Sequence, residues 1–418
     1  MASASTERAE RAIARCHQIA ACTEVPGETT RLFLSAPMHD VHALLRGWME
    51  AAGMTVEVDA IGNLRGQWAT LTPEAPRLII GSHLDTVPNA GAFDGILGVV
   101  LGVALVEELR GERLPFAIEV IGFSEEEGVR FSKPFLGSLA VVGKLDAETL
   151  ARKDRAGISV AEAVRRFGLD PDKLASAVLA PDVFAYLEFH IEQGPVLESE
   201  AASVGVVDAI VGQSRLQVVF SGQANHAGTT PMHLRHDAMA AAAEWIVAIE
   251  DYARLHKGLV ATVGKVETSP GAGNVIAGRV TASLDVRHAE DSIRGAAVES
   301  LLDLAEQLSA DRGVTVAWQT LLEQSAVPMD SRLSEILKSA SARAGFSSHM
   351  MTSGAGHDAM ILAEHVPSTM LFLRSPGGLS HHPDEAVLPQ DVDAALATAM
   401  EFLALLRDDR AMTKDNHA

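Results

Sequence analysis

Four short runs of aliphatic and β-branched residues are each followed directly by a cluster of polar side chains. The runs cover residues 77–81, 116–123, 184–189 and 368–373. Apolar runs of this length, ended by glycine or polar residues, are typical of buried strands. Open α/β sheets build their sites beyond the carboxyl ends of such strands. The pattern therefore predicts an α/β fold, with a mixed sheet flanked by helices and the polar clusters at the ends of its strands.

The middle of the chain has a different pattern. A chain of 418 residues exceeds the size at which one core usually keeps growing, so two domains are expected. Within residues 214–326 the order of predicted elements is strand 216–220, helix 237–256, strands near 259–266 and 279–286, and helix 293–308. This order predicts an inserted α+β, ferredoxin-like unit of β-α-β-β-α type. Residues 1–213 and 327–418 then form one discontinuous domain.

Charge and cysteine content exclude several classes of protein. The 34 basic and 55 acidic residues give a net charge of −21, which would repel a phosphate backbone, so nucleic acid is not an expected partner. Cys16 and Cys22 cannot build a disulfide framework, and a reducing cytoplasm is the expected compartment. Residues 1–15 lack the apolar core of a secretory signal, and the longest apolar stretch, 96–106, is too short to span a bilayer.

The first polar cluster and the turn that follows it offer histidine and aspartate. His83 and Asp85 are two positions apart in an extended segment, which puts both side chains on the same side. One can bind a metal ion while the other accepts the second ring N–H and fixes the tautomer. Asp94 follows in a glycine-rich turn. Taken alone, either feature is more typical of a cap or a turn, and only their combination indicates a metal site.

Three consecutive glutamates, Glu125 to Glu127, follow the second apolar run. A charged surface segment is the ordinary interpretation of such a run. Carboxylates at the end of a buried strand, however, are costly without a countercharge, which a divalent cation would supply. Two adjacent carboxylates also allow one to bind metal and the other to accept a proton.

Histidines end the other two clusters. His190 follows the third apolar run, and the pair His381-His382 lies in a loop rich in glycine, proline and serine after the fourth. A hydrogen-bonded strand-end histidine and an exposed loop histidine are the alternatives. Ligands drawn from His, Asp and Glu without Cys suit zinc, manganese or cobalt better than calcium. The pattern indicates a hydrolase with a paired-metal centre.

Seven motifs resemble one enzyme family. They are SHLDTV at 82–87, FDG at 93–95, EEEGVRF at 125–131, HIEQGPVLE at 190–198, NHAGTTPM at 225–232, SGAGHDA at 353–359 and GGLSHHPDE at 377–385. Together they resemble the hydantoinase/carbamoylase amidases, a group within the aminoacylase-like dinuclear metallopeptidase clan. The group contains N-carbamoyl-L-amino-acid hydrolases, allantoate amidohydrolases and β-ureidopropionases. The resemblance covers nearly the whole chain, with its motifs in the expected order.

The resemblance implies a role for each matched residue. Two divalent metal ions are expected, with zinc first and manganese, cobalt or nickel as alternatives. One ion would be held by His83 and His190, the other by Glu127 and His381, with Asp94 bridging them. Asp85 would orient His83, Glu126 would act as general base, and His382 would occupy a variable position.

The resemblance also assigns the inserted domain, 214–326, as a lid that makes a homodimer. His226 would then reach the active site of a neighbouring subunit and stabilise an oxyanion. Gln193, Asn274 and Arg287 match substrate-holding positions, and Arg287 is suited to a bidentate grip on a carboxylate. Whether His357 and Asp358 support the site or only the fold stays open.

The expected function is cleavage of the ureido C–N bond of N-carbamoyl-L-amino acids, which releases ammonia, carbon dioxide and the amino acid. Allantoate and β-ureidopropionate are alternative substrates within the same class. A peptidase or aminoacylase is a rival enzyme class, since the same metal centre could serve it. A metal-stabilised binding protein without turnover is the remaining alternative, although every ligand and Glu126 are present.

Overall fold

The computed structural model describes residues 4–70, 72, 74–347 and 349–415. The strands are β1 Thr55–Val58, β2 Leu64–Trp68, β3 Arg77–His83, β4 Ala117–Phe123, β5 Val183–Ile191, β6 Val204–Ile210, β7 Gly212–Ser221, β8 Val260–Thr262, β9 Val266–Ser269, β10 Arg279–His288, β11 Thr315–Gln324, β12 Val327–Pro328, β13 His349–Ser353 and β14 Ser368–Leu373. The α-helices are α1 Ala4–Ala20, α2 Pro37–Ala51, α3 Ile96–Glu108, α4 Leu136–Val141, α5 Ala147–Ala151, α6 Val160–Arg166, α7 Val196–Ser199, α8 Ala238–Leu255, α9 Asp291–Ala310, α10 Ser331–Arg343, α11 Asp358–Leu362 and α12 Pro389–Asp415.

Residue contacts divide the chain into two units. Unit 1 contains residues 1–208 and 329–418, as far as the structure describes them, and unit 2 contains residues 209–328. The sequence pattern predicts bounds of 214 and 326 for the inserted domain, a few residues inside those of unit 2. Among the described residues, none of the helices combines the length and the hydropathy of a bilayer-spanning segment.

A mixed sheet organises unit 1. Its strand order is β1-β2-β4-β3-β5-β14-β6-β12, and β13 pairs with β6. The four strands predicted from the apolar runs, β4, β3, β5 and β14, are neighbours and parallel. The outer pairs β1 with β2, β2 with β4, and β14 with β6 are antiparallel. The predicted α/β class with a mixed sheet is therefore confirmed.

Burial on both faces explains the apolar runs. Every residue of β14, and all but the first residue of β3 and β4, is buried. Helix α3 contacts β3, β4 and β5, and its residues 96–106 are all buried. A helix that is apolar on every side belongs in a core. Helix α3 begins directly after Asp94 and Gly95, so the turn that contains these two residues lies next to the core.

Unit 2 has a five-stranded sheet of order β11-β7-β10-β8, with β9 paired to β10. In β7 and β10 buried residues alternate with more exposed ones, so one sheet face packs against α8 and α9. The predicted helices of this unit are present, but the expected β-α-β-β-α order is incomplete. The strand predicted near 259–266 is two strands, β8 and β9, and the prediction omits β11. No residue of β11 is buried, so this edge strand lacks the alternation that reveals a strand in a sequence.

Candidate metal centre and active site

Parallel strand order brings the polar clusters of unit 1 together. His83 ends β3, His190 lies next to the end of β5, and Glu126 and Glu127 follow β4 within a few residues. His381 lies in the loop beyond β14. Ligand atoms lie within 4.8 Å of one another in a first group of His83, Asp94 and His190 and in a second group of Asp94, Glu127 and His381. Ligand atoms of His83, Glu126 and Glu127 also lie within this distance of one another. The five residues named from the sequence as metal ligands thus form one connected cluster.

The first group surrounds one oxygen of Asp94. Oδ1 of Asp94 lies 3.4 Å from Nε2 of His83 and 3.2 Å from Nε2 of His190, and the two Nε2 atoms are 3.4 Å apart. Metal–ligand distances of about 2.0–2.1 Å place tetrahedral ligand atoms roughly 3.3 Å apart. The three atoms therefore have the separation expected of ligands to a single cation.

The histidine tautomers support the same conclusion. Nδ1 of His83 lies 3.1 Å from the backbone oxygen of Asp85, and Nδ1 of His190 lies 2.9 Å from that of Ile191. A carbonyl only accepts hydrogen bonds, so each Nδ1 carries a proton, and in the neutral ring each Nε2 presents a lone pair. Oδ1 of Asp94 is buried and accepts no hydrogen bond. Three electron pairs converge at this point, and a cation between them satisfies all three.

The second group surrounds the other oxygen of Asp94. Nε2 of His381 lies 3.4 Å from Oδ2 of Asp94 and 3.6 Å from Oε1 of Glu127. The His381 side chain is 50% exposed, whereas those of His83 and His190 are buried. One carboxylate thus faces both groups, one through each oxygen, and the second group is the one open to solvent. The donor set fits two divalent cations that share Asp94.

The electrostatics of the cluster follow from its burial and crowding. Burial raises the pKa of Asp94, but the approach of His190, His381 and His83 outweighs burial and holds the pKa well below its usual range. Burial, with the charge of Asp94, raises the pKa of Glu127 to about 7. Contact with Asp94 raises the pKa of His381 to about 8. A cation must therefore compete with protons for Glu127 and His381 near neutral pH.

Asp85 supports the glutamate segment. Its Oδ1 accepts the backbone N–H of Glu126 at 2.9 Å, and its Oδ2 accepts that of Glu127 at 3.3 Å. Its Oδ1 is 3.5 Å from Nδ1 of His83, farther than its own backbone oxygen. Asp85 thus fixes the turn that carries Glu126 and Glu127, in addition to lying beside His83.

Glu126 is the buried carboxyl group next to the ligands. Only 9% of its surface is exposed, and it lies within the 4.8 Å group formed with His83 and Glu127. Burial, reinforced by the charges of Glu127 and Asp358, raises the pKa of Glu126 well above its usual range. A carboxyl group with a raised pKa can both accept and return a proton near neutral pH.

Gln193 also lies at the cluster. Its Nε2 donates to Oδ2 of Asp94 at 3.0 Å and to Oγ of Ser380 at 3.1 Å. Its backbone has a φ of 57°, a left-handed conformation in which its N–H donates to Oγ of Ser375. Gln193 therefore contacts the carboxylate shared by the two ligand groups.

Sequence reasoning missed a buried carboxylate below the ligands. Glu188 of β5 is fully buried and accepts hydrogen bonds from Oγ of Ser82, the hydroxyl of Tyr186 and the backbone N–H of Ala359. It joins β3, β5 and the start of α11. The available signal was a glutamate inside the apolar run of β5, a position where an unpaired charge is costly.

The structure places His357 and Asp358 beside this layer. The His357 ring packs against that of His190 with centroids 4.4 Å apart, and its Nε2 lies 2.9 Å from Oγ of Ser353. Burial, with the neighbouring His190, lowers the pKa of His357 well below its usual range, so its ring is neutral. Asp358 is fully buried, and burial raises its pKa well above the usual range. His357 thus packs against His190, whereas Asp358 begins helix α11 next to it.

Three other predicted residues, His226, Asn274 and Arg287, belong to unit 2. His226 and Asn274 are neighbours, since the N–H of Ala227 donates to the backbone oxygen of Asn274 at 3.0 Å. Nδ1 of His226 accepts the backbone N–H groups of Gly228 at 3.1 Å and Thr229 at 3.2 Å. An accepting nitrogen carries no proton, so the ring N–H of His226 is on Nε2 and can donate.

Arg287 lies near the end of β10 and is held by a carboxylate. Its Nε donates to Oδ1 of Asp285 at 2.8 Å and its Nη2 to Oδ2 at 3.1 Å. The bidentate pair fixes the plane of the guanidinium group.

Comparisons with known proteins identify the family of this chain. The model of peptidase family M20/M25/M40 matches residues 79–406. An N-carbamoyl-L-amino acid amidohydrolase of Geobacillus stearothermophilus is 41% identical over 372 residues, which cover 87% of this chain and 90% of that protein. Allantoate deiminase 1 of Glycine max is 38% identical over 428 residues, 94% of this chain and 89% of that protein.

A solved structure extends the likeness to the fold. The hydantoinase/carbamoylase family amidase of Burkholderia multivorans superposes with a TM-score of 0.89 at 32% identity, over 96% of this chain and 97% of that one. The chain therefore belongs to peptidase family M20/M25/M40, among the hydantoinase/carbamoylase amidases, and is a hydrolase.

Proposed function

We propose that this hydrolase cleaves the ureido C–N bond of N-carbamoyl-L-amino acids, releasing ammonia, carbon dioxide and the amino acid. The observation that carries the proposal is the shared carboxylate of Asp94. Its two oxygens face two groups of ligand atoms, and the buried Glu126 lies at their side. The amidohydrolase of G. stearothermophilus, similar over most of the chain, supports the choice of substrate.

Each predicted residue receives one role in this proposal. His83 and His190 would hold one divalent cation, Glu127 and His381 would hold the other, and Asp94 would serve both. Zinc is the first choice because histidine and carboxylate ligands without cysteine suit it, with manganese, cobalt or nickel as alternatives. Asp85 holds the backbone of Glu126 and Glu127 in place.

The protein residues then carry the proton transfers. When bound, the two cations would supply a water of lowered pKa and polarise the ureido carbonyl. Glu126 accepts the proton of the attacking water and returns it to the departing nitrogen, as its raised pKa allows. Nε2–H of His226, fixed by the two backbone donors to Nδ1, stabilises the negative charge that develops on the carbonyl oxygen.

Three residues hold the substrate in this scheme. Arg287 binds the carboxylate of the amino acid, with its guanidinium plane set by Asp285. Gln193 and Asn274 offer amide groups that can donate to or accept from the ureido group.

Allantoate is the second candidate substrate. Allantoate deiminase 1 of G. max is similar over 94% of this chain, a larger share than the carbamoyl-amino-acid enzyme covers. Allantoate also combines a carboxylate with ureido groups, so the same residues would serve it.

Ammonia release from the metal-loaded enzyme tests the proposal. Substrates to compare are N-carbamoyl-L-amino acids, β-ureidopropionate, allantoate and an N-acetyl-L-amino acid. We expect ammonia from the first group, with turnover above that on allantoate. The N-acetyl compound would yield acetate and the free amino acid rather than ammonia, so its turnover is measured as release of the amino acid. Turnover of this compound alone would favour an aminoacylase, and no turnover of any compound would favour a binding protein.

We also propose that unit 2 makes a homodimer and closes over the substrate. Its surface exposes large apolar side chains that a second copy could cover, including Met232, Leu234, Val247, Leu255 and Val260. In such a dimer His226 of one subunit serves the site of the other. Light scattering measures the mass in solution. Mixed dimers of Glu126→Gln and His226→Ala chains should regain activity, and a lack of recovery would contradict the shared site.

The proposed location is the cytoplasm. Both cysteines are free thiols in the structure, as a reducing compartment would keep them. Fractionation of cells that make the protein tests this location.

A further inference from the structure

Glu385 holds the backbone at Asp94. It lies in the loop after His381, only 5% of its surface is exposed, and its Oε1 accepts the backbone N–H groups of Phe93 at 2.9 Å and Asp94 at 3.0 Å. The segment from Leu84 to Gly95 has no regular strand or helix, so Glu385 supplies an anchor that secondary structure does not.

The second carboxylate oxygen of Glu385 connects it to the side chain of Asp94 through Ser380. Oε2 of Glu385 lies 3.3 Å from Oγ of Ser380, and the same hydroxyl oxygen lies 2.9 Å from Oδ2 of Asp94. Nε2 of Gln193 donates to both Ser380 and Asp94. Asp94 is thus held through its main chain by Glu385 and through its side chain by Ser380, the residue directly before His381.

The facing turn fits the Glu385 side chain closely. A Cβ atom on Gly91 would lie 2.3 Å from Cβ of Glu385 and 2.5 Å from its Oε1. Contacts this short require one of the two loops to move. The loop that carries Asp94 and the loop that carries His381 are therefore matched in shape as well as in hydrogen bonding.

We propose that Glu385 is a positioning residue that sets the shared ligand Asp94 against the His381 loop before any cation binds. The inference rests on the proposed dinuclear centre and adds a residue to it. It acts through Asp94 and touches no substrate. Residues that orient metal ligands typically change metal affinity about 10–100-fold when they are lost.

Two substitutions of Glu385 distinguish its hydrogen bonding from the volume of its side chain. Glu385→Ala removes the acceptor and should weaken metal binding about 10–100-fold. Glu385→Gln keeps an oxygen that can accept both N–H groups, and its amide can donate to Ser380, so metal binding should stay near that of the wild type. Asp384→Asn is the matched control, because the neighbouring Asp384 side chain is 81% exposed.

The measurement uses metal-free full-length protein and zinc or cobalt alone. Calorimetric titration gives the affinity and the number of ions bound, and hydrogen exchange reports the Phe93 and Asp94 amides without metal. In Glu385→Ala we expect faster exchange at these two amides together with weaker binding. Wild-type affinity and exchange in Glu385→Ala would overturn the inference.

Gly91→Ala tests the same contact from the opposite loop. Its new methyl group should displace Glu385 and reproduce the affinity loss, whereas Gly47→Ala, which meets no atom within 4 Å, should not. If Gly91→Ala binds metal like the wild type, Glu385 does not position Asp94 for metal binding. Failure of the wild type to bind two ions would instead refute the proposed function, so the two failures are distinguishable.

Discussion

Gly95 lies directly against the imidazole of His83. A Cβ atom on residue 95 would come within 2.5 Å of both Nδ1 and Cε1 of the ring. The backbone of Gly95 also has a φ of 69°, a conformation that favours glycine. The residue after the shared ligand therefore has no room for a side chain.

Gly95→Ala should consequently lose metal, because its methyl group displaces the His83 ring from Asp94. Metal retained per chain after dialysis, measured by elemental analysis, checks this expectation. Gly295→Ala is the control, since a Cβ there meets open space in helix α9. Full metal content in the Gly95 variant would show that displacement of the His83 ring does not weaken metal binding.

Glu126→Gln should separate metal binding from turnover. The amide has the shape of the carboxyl group but cannot accept a proton, so kcat should fall about 10²–10⁴-fold while bound metal stays unchanged. Ammonia release and metal content are the measurements. The exposed Glu112→Gln is the control. Substantial kcat in the Glu126 variant would show that Glu126 is not the general base.

His226→Ala should lower kcat about 10²–10³-fold, the usual effect of losing one donor to an oxyanion. Metal content should not change, because all five predicted ligands belong to unit 1. Steady-state kinetics provide the measurement, and the exposed His365→Ala is the control. An effect on KM alone would instead indicate a substrate-binding role.

Metal affinity should rise with pH through the range of about 7 to 8. The pKa of Glu127 is raised to about 7, by burial first, and that of His381 to about 8, by its contact with Asp94 first. Both groups must be deprotonated to bind metal, so protons compete below these values and cease to compete above them. Calorimetric titration from about pH 6 to pH 9 measures the slope. His381→Ala should flatten it, and an unchanged slope would contradict the assignment.

Chelation should destabilise the protein. Glu127 shares one group of ligand atoms with Asp94 and another with Glu126, so the carboxylates of the cluster repel one another without a cation. A ligand at about 1,000 times its Kd stabilises the folded state by about 4 kcal/mol. Thermal unfolding with and without chelator should therefore show a lower Tm without metal. Asp94→Ala should show no such difference, and a wild-type Tm insensitive to chelator would exclude a bound ion of this affinity.

Local pattern was enough to predict the centre of the fold. The apolar runs of β3, β4, β5 and β14 are buried on both faces, so burial alone makes them visible in the sequence. Strand β11 has no buried residue and was missed, because its stability comes from pairing with β7 rather than from its own composition.

The same reasoning explains which site residues were predicted. His83, His190 and the glutamate segment follow directly from strands, and their chemistry is evident from residue type. Glu385 has its partners at Phe93 and Asp94, 292 and 291 residues away, so no local pattern can reveal it. A hydrogen bond to a backbone group far away in the chain produces no pattern in the residues around Glu385.

The route of the chain through the ligand cluster also limits when the cluster can exist. His381 follows β14, which is inserted between β5 and β6 late in the chain. During synthesis the ribosome therefore makes His83, Asp94, Glu127 and His190 long before the residue that completes the second group. A nascent chain released before residue 381 would lack His381 beside Asp94 and Glu127, so the proposed dinuclear centre could be complete only in a chain that extends beyond this residue.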